Sequence, residues 1–290
     1  MSRLTDPAEI RRLLDRYGFR FSKALGQNFL IDPEVPAKIA DSVRADRDCA
    51  VLEVGPGIGC LTAELARRAG TVLSVELDRR LKPLLEETLS GTDNTEILFA
   101  DVMKLDLSAL AEEKLTLPTR LVCSNLPYNI TSPVLTEMVE AGCFERICVM
   151  IQKEVAERIC AAPGTKNSGA FGLFVQWYYE PELLFTVPPH CFMPQPKVTS
   201  AVIRLTKRNL PPARALDEDL MFRLIRAAFN QRRKTLANAL SAALPQLRKP
   251  DCERILKLCD FDTNIRGEKL ELVDFARISN EIVKYEHDNL

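Results

Sequence analysis

The chain has 290 residues, 46% of them hydrophobic and 27% charged, with a net charge of −1 at pH 7. That composition belongs to an ordinary soluble globular protein with room for a main domain and a smaller one. No apolar run approaches the about 20 residues that span a bilayer, and residues 1–12 are charged and carry no apolar stretch of a secretory leader. The nine cysteines are scattered without a Cys-x-x-Cys pair, which suits a reducing cytoplasm better than a disulfide framework. Two histidines, His190 and His287, are too few for zinc or triad chemistry. The charge is uneven. Residues 1–27 carry 6 Lys and Arg against 3 acids, residues 28–196 carry 15 against 24, and residues 197–290 carry 18 against 13. Basic ends around an acidic middle fit phosphate contacts at the ends, or uneven solvated helix faces.

In chain order, short apolar strand candidates alternate with helical patterns. Residues 50–54 read as a strand and 61–69 as a helix, with Leu61, Leu65 and Ala69 on one face. Residues 72–77 form a strand, 81–89 a helix, 96–100 and 121–124 strands, 133–141 a helix and 147–151 a strand. This alternation predicts a parallel sheet with helices on both faces. Residues 161–172, rich in glycine, read as a mobile loop, 171–179 as a helix, and 183–187 and 198–205 as strands forming an antiparallel edge. Pro188, Pro189, Pro194 and Pro196 order the loop between those strands. After a linker at 207–214, marked by Asn209, Pro211 and Pro212, only helices follow, over 217–230, 232–244, 251–258 and 269–284. The predicted domains are therefore 1–206 and 207–290.

The first strand runs into Glu53-Val54-Gly55-Pro56-Gly57-Ile58-Gly59 and then into a helix. Glycines here let the backbone turn tightly and approach a ligand. The Gly-x-Gly-x-Gly spacing differs from the Gly-x-Gly-x-x-Gly of dinucleotide enzymes, favouring a ligand with no pyrophosphate to cradle, as in methyltransferases that bind S-adenosyl-L-methionine. Glu76 closes the next strand, where a carboxylate can accept from both ribose hydroxyls, and Asp101 closes the third, where it can accept from the adenine amine. Each feature alone is compatible with a plain turn or a solvated acid. Three strand tips aimed at one ligand are not.

The fourth strand ends in Asn125-Leu126-Pro127-Tyr128. An aromatic amine is a poor nucleophile because its lone pair is delocalised into the ring. The Asn125 side-chain oxygen and the Leu126 carbonyl can accept its hydrogens and localise the lone pair, Pro127 fixes the turn, and Tyr128 offers a ring on which the base stacks. Catalysis is then mainly positioning. The alternative is an Asx-Pro turn at a strand end.

These residues resemble the rRNA adenine dimethyltransferase family. Leu25-Gly26-Gln27-Asn28-Phe29-Leu30 is similar to the family's N-terminal signature. Phe192-x-Pro194-x-Pro196-Lys197-Val198 with Ser200-Ala201-Val202 is similar to its loop and last strand. Phe229-Asn230-Gln231-Arg232-Arg233-Lys234-Thr235-Leu236 is similar to the entry of its C-terminal domain. Recognisable segments run from about Lys23 to Leu240. The resemblance implies a Rossmann-like α/β methyltransferase sheet with a small C-terminal all-α domain that meets RNA. It implies S-adenosyl-L-methionine as cofactor, S-adenosyl-L-homocysteine as product, and no metal. It assigns Gln27, Asn28, Leu30, Gly55, Gly57, Glu76, Leu77, Asp101, Val102 and Asn125 to the cofactor, and Asn125, Leu126, Pro127 and Tyr128 to the reaction. The form of Asn125–Tyr128 implies dimethylation, with 16S rRNA in the small ribosomal subunit or its precursor as partner, by a cytoplasmic monomer. Phe192 either lies over the target base or packs in its loop. Arg232, Arg233 and Lys234 either grip phosphates or form a solvated helix face. Trp177, Tyr178 and Tyr179 read as core. Ser168-Gly169-Ala170-Phe171-Gly172 departs from the family's Tyr-Gly-Arg-Leu-Ser form. The rival expectations are a 23S rRNA adenine methyltransferase of the macrolide-resistance type and a non-catalytic nucleic-acid-binding factor on the same fold.

Overall fold

The computed structural model describes residues 3–22 and 25–289. Met1 and Ser2 of the charged N-terminus, and Lys23 at the start of the recognisable segments, lie outside the described residues. The strands are β1 (Phe29–Leu30), β2 (Cys49–Val54), β3 (Thr71–Glu76), β4 (Thr95–Phe99), β5 (Thr119–Asn125), β6 (Arg146–Gln152), β7 (Tyr179–Val187), β8 (Phe192–Met193) and β9 (Ser200–Lys207). The helices are α1 (Pro7–Arg16), α2 (Glu34–Ser42), α3 (Cys60–Arg68), α4 (Lys82–Thr88), α5 (Leu107–Lys114), α6 (Thr131–Glu140), α7 (Lys153–Ile159), α8 (Ala170–Tyr178), α9 (Glu218–Asn230), α10 (Leu236–Ala243), α11 (Lys249–Leu258) and α12 (Leu272–Asn289). None of the described helices is long and apolar enough to cross a membrane.

The main sheet has the order β4-β3-β2-β5-β6-β9-β7. Neighbours from β4 to β6 run parallel, and β9 pairs antiparallel with β6. This is an α/β, Rossmann-like sheet. Every residue of β2 is buried, as a parallel strand covered on both faces requires. The chain leaves β2 for β3 and β4 on one side, then crosses back to β5 and β6 on the other. The carboxyl ends of β2 and β5 therefore flank a topological switch point, the place where open parallel sheets bind ligands. Under the sheet, Ile39, Ala40, Leu61 and Leu65 of α2 and α3 meet Val51, Leu121 and Met150. A separate aromatic and aliphatic cluster joins Ile10 and Leu14 of α1 with Phe19, Phe29, Ile58 and Leu84.

The chain divides into two compact units, 1–156 with 180–207, and 157–179 with 208–290. The second unit is helical. Its core packs Leu173 and Trp177 of α8 with Phe222, Leu224, Leu240, Ile255 and Phe275. The last boundary, 207/208, lies one residue from the expected 206/207, and residues 157–179, inside the expected first domain, group with the second unit. The reason is packing: Trp177 is fully buried against the edge of Phe222 at 6.3 Å. The loop expected over 161–172 also ends earlier. Gly169 caps α8, so Gly172 lies inside that helix, where a Cβ would stand 2.6 Å from the Arg158 carbonyl.

Candidate active site

The tips of β2, β3, β4 and β5 open into one pocket. Its walls include Gln27, Asn28, Leu30, Gly55, Gly57, Glu76, Leu77, Asp101, Val102, Asn125, Leu126, Pro127 and Tyr128, so the expected cofactor and reaction residues stand together. Gly55, Gly57 and Gly59 all have positive φ, at 74°, 58° and 85°. At Gly57 the turn has no room either: a Cβ would come within 3.1 Å of the Phe29 ring. The turn therefore needs glycine for conformation and for space.

Glu76 is 6% exposed. Its carboxylate accepts the Asp78 N–H at 2.7 Å and the Gly57 N–H at 3.4 Å. Burial pushes its pKa up to about 7 despite those two donors. A carboxyl so placed has acceptor capacity left for hydroxyl donors inside the pocket. Glu53, deeper on β2, is 1% exposed and also pushed up to about 7 by burial, although the Thr62 and Ser74 hydroxyls donate to it at 2.6 and 2.7 Å. Asp101 caps the turn after β4, its Oδ1 accepting the Met103 N–H at 3.1 Å. The Cys60 thiol on the pocket wall is pushed up to about 12 by burial and stays neutral.

At the tip of β5 the Asn125 amide Nδ2 donates to the Asn28 carbonyl at 3.4 Å. That orients the side chain and leaves its Oδ1 as the free end. Leu126 is buried and its N–H donates to the Met150 carbonyl at 3.1 Å. The Tyr128 hydroxyl hydrogen-bonds Ser200 Oγ at 2.6 Å, which pins the ring at the pocket edge. Burial raises the Tyr128 pKa.

Gln27 lines the pocket and is also bonded within the protein: its amide oxygen accepts the Ser22 N–H at 2.8 Å and its nitrogen donates to Asp78 at 2.9 Å. Phe192 is not on the pocket wall. It sits 3% exposed in the core beneath the sheet because β8 pairs antiparallel with β1, placing Phe192 opposite Leu30. In this structure Phe192 therefore packs in the core and does not line the pocket. Arg232, Arg233 and Lys234 lie in a turn rather than on a helix face, because Thr235 caps α10 and delays its start to Leu236. Arg232 pairs with Glu268 at 3.0 Å and donates to the Lys166 carbonyl at 2.8 Å. Arg233 and Lys234 are exposed, with no side-chain partner among the described residues.

The ribosomal RNA adenine dimethylase family matches residues 18–282. The chain belongs to this family. It is 46% identical to "Ribosomal RNA small subunit methyltransferase A" of Geobacillus thermodenitrificans (strain NG80-2), over 97% of each chain. It is 43% identical to the protein of that name from Alkaliphilus oremlandii (strain OhILAs), over 98% of this chain and 99% of the other. Among solved structures it resembles 23S rRNA methyltransferase ErmE, with a TM-score of 0.68 and 27% identity over 88% of this chain and 99% of that one. A dimethyladenosine transferase from Plasmodium falciparum shares the fold, with a TM-score of 0.73 and 23% identity over 90% and 98%. Three residues in or bonded to this site are ones that sequence reasoning missed: Glu53 on the pocket wall, and Asp78 and Ser200 behind it. Glu53 had a signal, an acid on a fully apolar strand just before the glycine turn. Asp78 and Ser200 act through bonds to Gln27 and Tyr128 that are distant in sequence.

Proposed function

We propose that this chain transfers methyl groups from S-adenosyl-L-methionine to the exocyclic amines of two adjacent adenosines near the 3′ end of 16S rRNA, acting as a cytoplasmic monomer on the small ribosomal subunit or its precursor. The observation that carries the reading is the convergence of the glycine turn, Glu76, Asp101 and Asn125–Tyr128 on one pocket. The near-full-length relatives named for the small ribosomal subunit favour that substrate over the 23S one of the more distant ErmE. The residues present fit the cofactor. Glu76 offers a buried acceptor for ribose hydroxyls, Gly55 and Gly57 hold the positive-φ turn that forms the pocket floor, and Asp101 on the pocket wall offers a carboxylate to the adenine amine. When bound, the cofactor supplies an electrophilic methyl group on a sulfonium.

The chain's own residues do the rest. Asn125 Oδ1 and the Leu126 carbonyl accept hydrogens of the target amine and hold its lone pair on nitrogen, directed into the pocket. Tyr128 receives the flipped base on its ring, which Ser200 holds in place. Arg233 and Lys234 meet RNA phosphates, while Arg232 is committed to Glu268 and Lys166. The test is primer extension on ribosomal RNA from a strain lacking the gene. The expected result is loss of two adjacent stops near the 3′ end of 16S rRNA and their return on complementation. Intact stops, or a change confined to 23S rRNA, would overturn the assignment.

A further inference from the structure

The turn after β3 bonds to the N-terminal residues 25–30 that line one wall of the pocket. Asp78 is 6% exposed and is the hub of that turn. Its own N–H donates to Glu76 Oε1 at 2.7 Å. Its carboxylate accepts from Arg80 Nε and Nη2 at 2.8 and 2.6 Å, from the Arg80 N–H at 3.1 Å, and from Gln27 Nε2 at 2.9 Å. The Arg80 hydrogen bonds hold the Asp78 carboxyl below the usual carboxylate range. Gln27 in turn receives the Ser22 N–H, and the Arg80 guanidinium lies over the Phe19 ring, 5.0 Å from its centre. Phe19 and Phe21 pack on Phe29, the residue that presses on Gly57 of the cofactor turn. Thus one buried residue meets Glu76 through its backbone N–H and Gln27 and Arg80 through its carboxylate.

We propose that Asp78, held by Arg80, is a positioning residue for the cofactor site: it orients Glu76 through its backbone N–H and latches Phe19 and the pocket-lining residues 25–30 through Arg80 and Gln27. This rests on the cofactor reading of the pocket. The latch explains why Gln27 spends both ends of its amide on the protein. It also gives Arg80 a task, since a two-pronged guanidinium fixes the carboxylate plane that Gln27 reads.

The test uses full-length Gln27→Ala, Arg80→Ala, the double variant and Arg80→Lys, with Asp78→Asn in place of the more disruptive alanine. Two quantities are measured: hydrogen exchange of the ligand-free protein and calorimetric affinity for S-adenosyl-L-homocysteine. Each single variant is expected to speed exchange at Ser22 and residues 27–30 by about tenfold or more, with β2 and β5 unchanged, since a local opening leaves the core protected. Each is expected to weaken binding by about 3- to 30-fold, and the double variant by little more than either single, because both act through one carboxylate. Arg80→Lys keeps the charge without the fork and recovers only part. Wild-type protein that does not bind S-adenosyl-L-homocysteine overturns the cofactor reading and the proposal with it. Wild-type binding combined with fully additive losses, or with variants that exchange and bind like wild type, overturns the latch alone.

Discussion

Glu76→Gln separates what the site does from what it costs the fold. In the ligand-free protein burial holds the Glu76 pKa at about 7, against an ordinary 4.5. Hydroxyl donors from a ribose favour the ionised form, so binding lowers that pKa and releases a proton when the free carboxyl is protonated. Affinity for S-adenosyl-L-homocysteine should therefore rise by close to tenfold per pH unit below about 7, and level off above it. Glu76→Gln cannot titrate, so its affinity should be flat over that range and about tenfold or more below wild type at pH 8, given ~1.5–3 kcal/mol for hydrogen bonds to a charged group. Stability should move the other way. The unfolded chain ionises this group near 4.5 and the folded chain near 7, so its contribution is present at low pH and is lost as pH rises through about 7. The raised pKa corresponds to about 3 kcal/mol, and the ligand-free variant should recover much of this at pH 8. Calorimetry and urea unfolding at pH 6, 7 and 8 read both effects. Glu53→Gln is the control, because Glu53 titrates in the same range. Wild-type affinity that is flat from pH 6 to 8, or Glu76→Gln binding like wild type at pH 8, would refute the ribose assignment.

Tyr128→Ala should weaken capture of the target base by about 1–3 kcal/mol, the stacking worth of one base, seen as a higher KM for RNA with cofactor affinity unchanged. Tyr128→Phe keeps the ring but leaves the buried Ser200 hydroxyl without its 2.6 Å partner, so about 1 kcal/mol of stability should be lost in denaturant unfolding. Gly57→Ala forces an alanine to a φ of 58° and presses a methyl on Phe29, and should lower both the unfolding midpoint and cofactor affinity by about 1–3 kcal/mol. Replacing Arg233 and Lys234 together by alanine should lower the slope of log RNA affinity against log salt by about 1.5–2, whereas Arg232→Ala should mainly destabilise the helical unit. Gel-shift titrations at several salt concentrations check the slopes.

The sheet could be read from the sequence because parallel strands buried on both faces are short, continuous apolar runs, as β2 and β6 are. The strand tips could be read because Gly55, Glu76, Asp101 and Asn125 each sit where a strand stops, and the fold brings strand ends together at a switch point. What could not be read is whatever depends on contacts distant in sequence. The helix at 171–179 was recognisable, but its membership of the second unit rests on Trp177 meeting Phe222. The inward turn of Phe192 rests on a two-residue strand pairing with Leu30. The charge run Arg232–Lys234 looks helical by propensity, and only the Thr235 cap shows that it is a turn. The bonds from Gln27 to Ser22 and Asp78 could not be read either, because a family motif marks position and not which atoms pair.

The central claim is that the strand-end Asn125-Leu126-Pro127-Tyr128 holds an adenine amine of small-subunit rRNA for methylation. Its most direct test is a single-turnover reaction of wild type and Asn125→Ala on small subunits lacking the modification, with dimethyladenosine counted by mass spectrometry of nuclease digests. Removing one preorganised acceptor from a dry site costs about 2–4 kcal/mol, so Asn125→Ala should be slower by roughly 30- to 1000-fold with RNA affinity little changed. Wild-type protein that yields no dimethyladenosine, or Asn125→Ala that transfers methyl groups at the wild-type rate, would contradict the account.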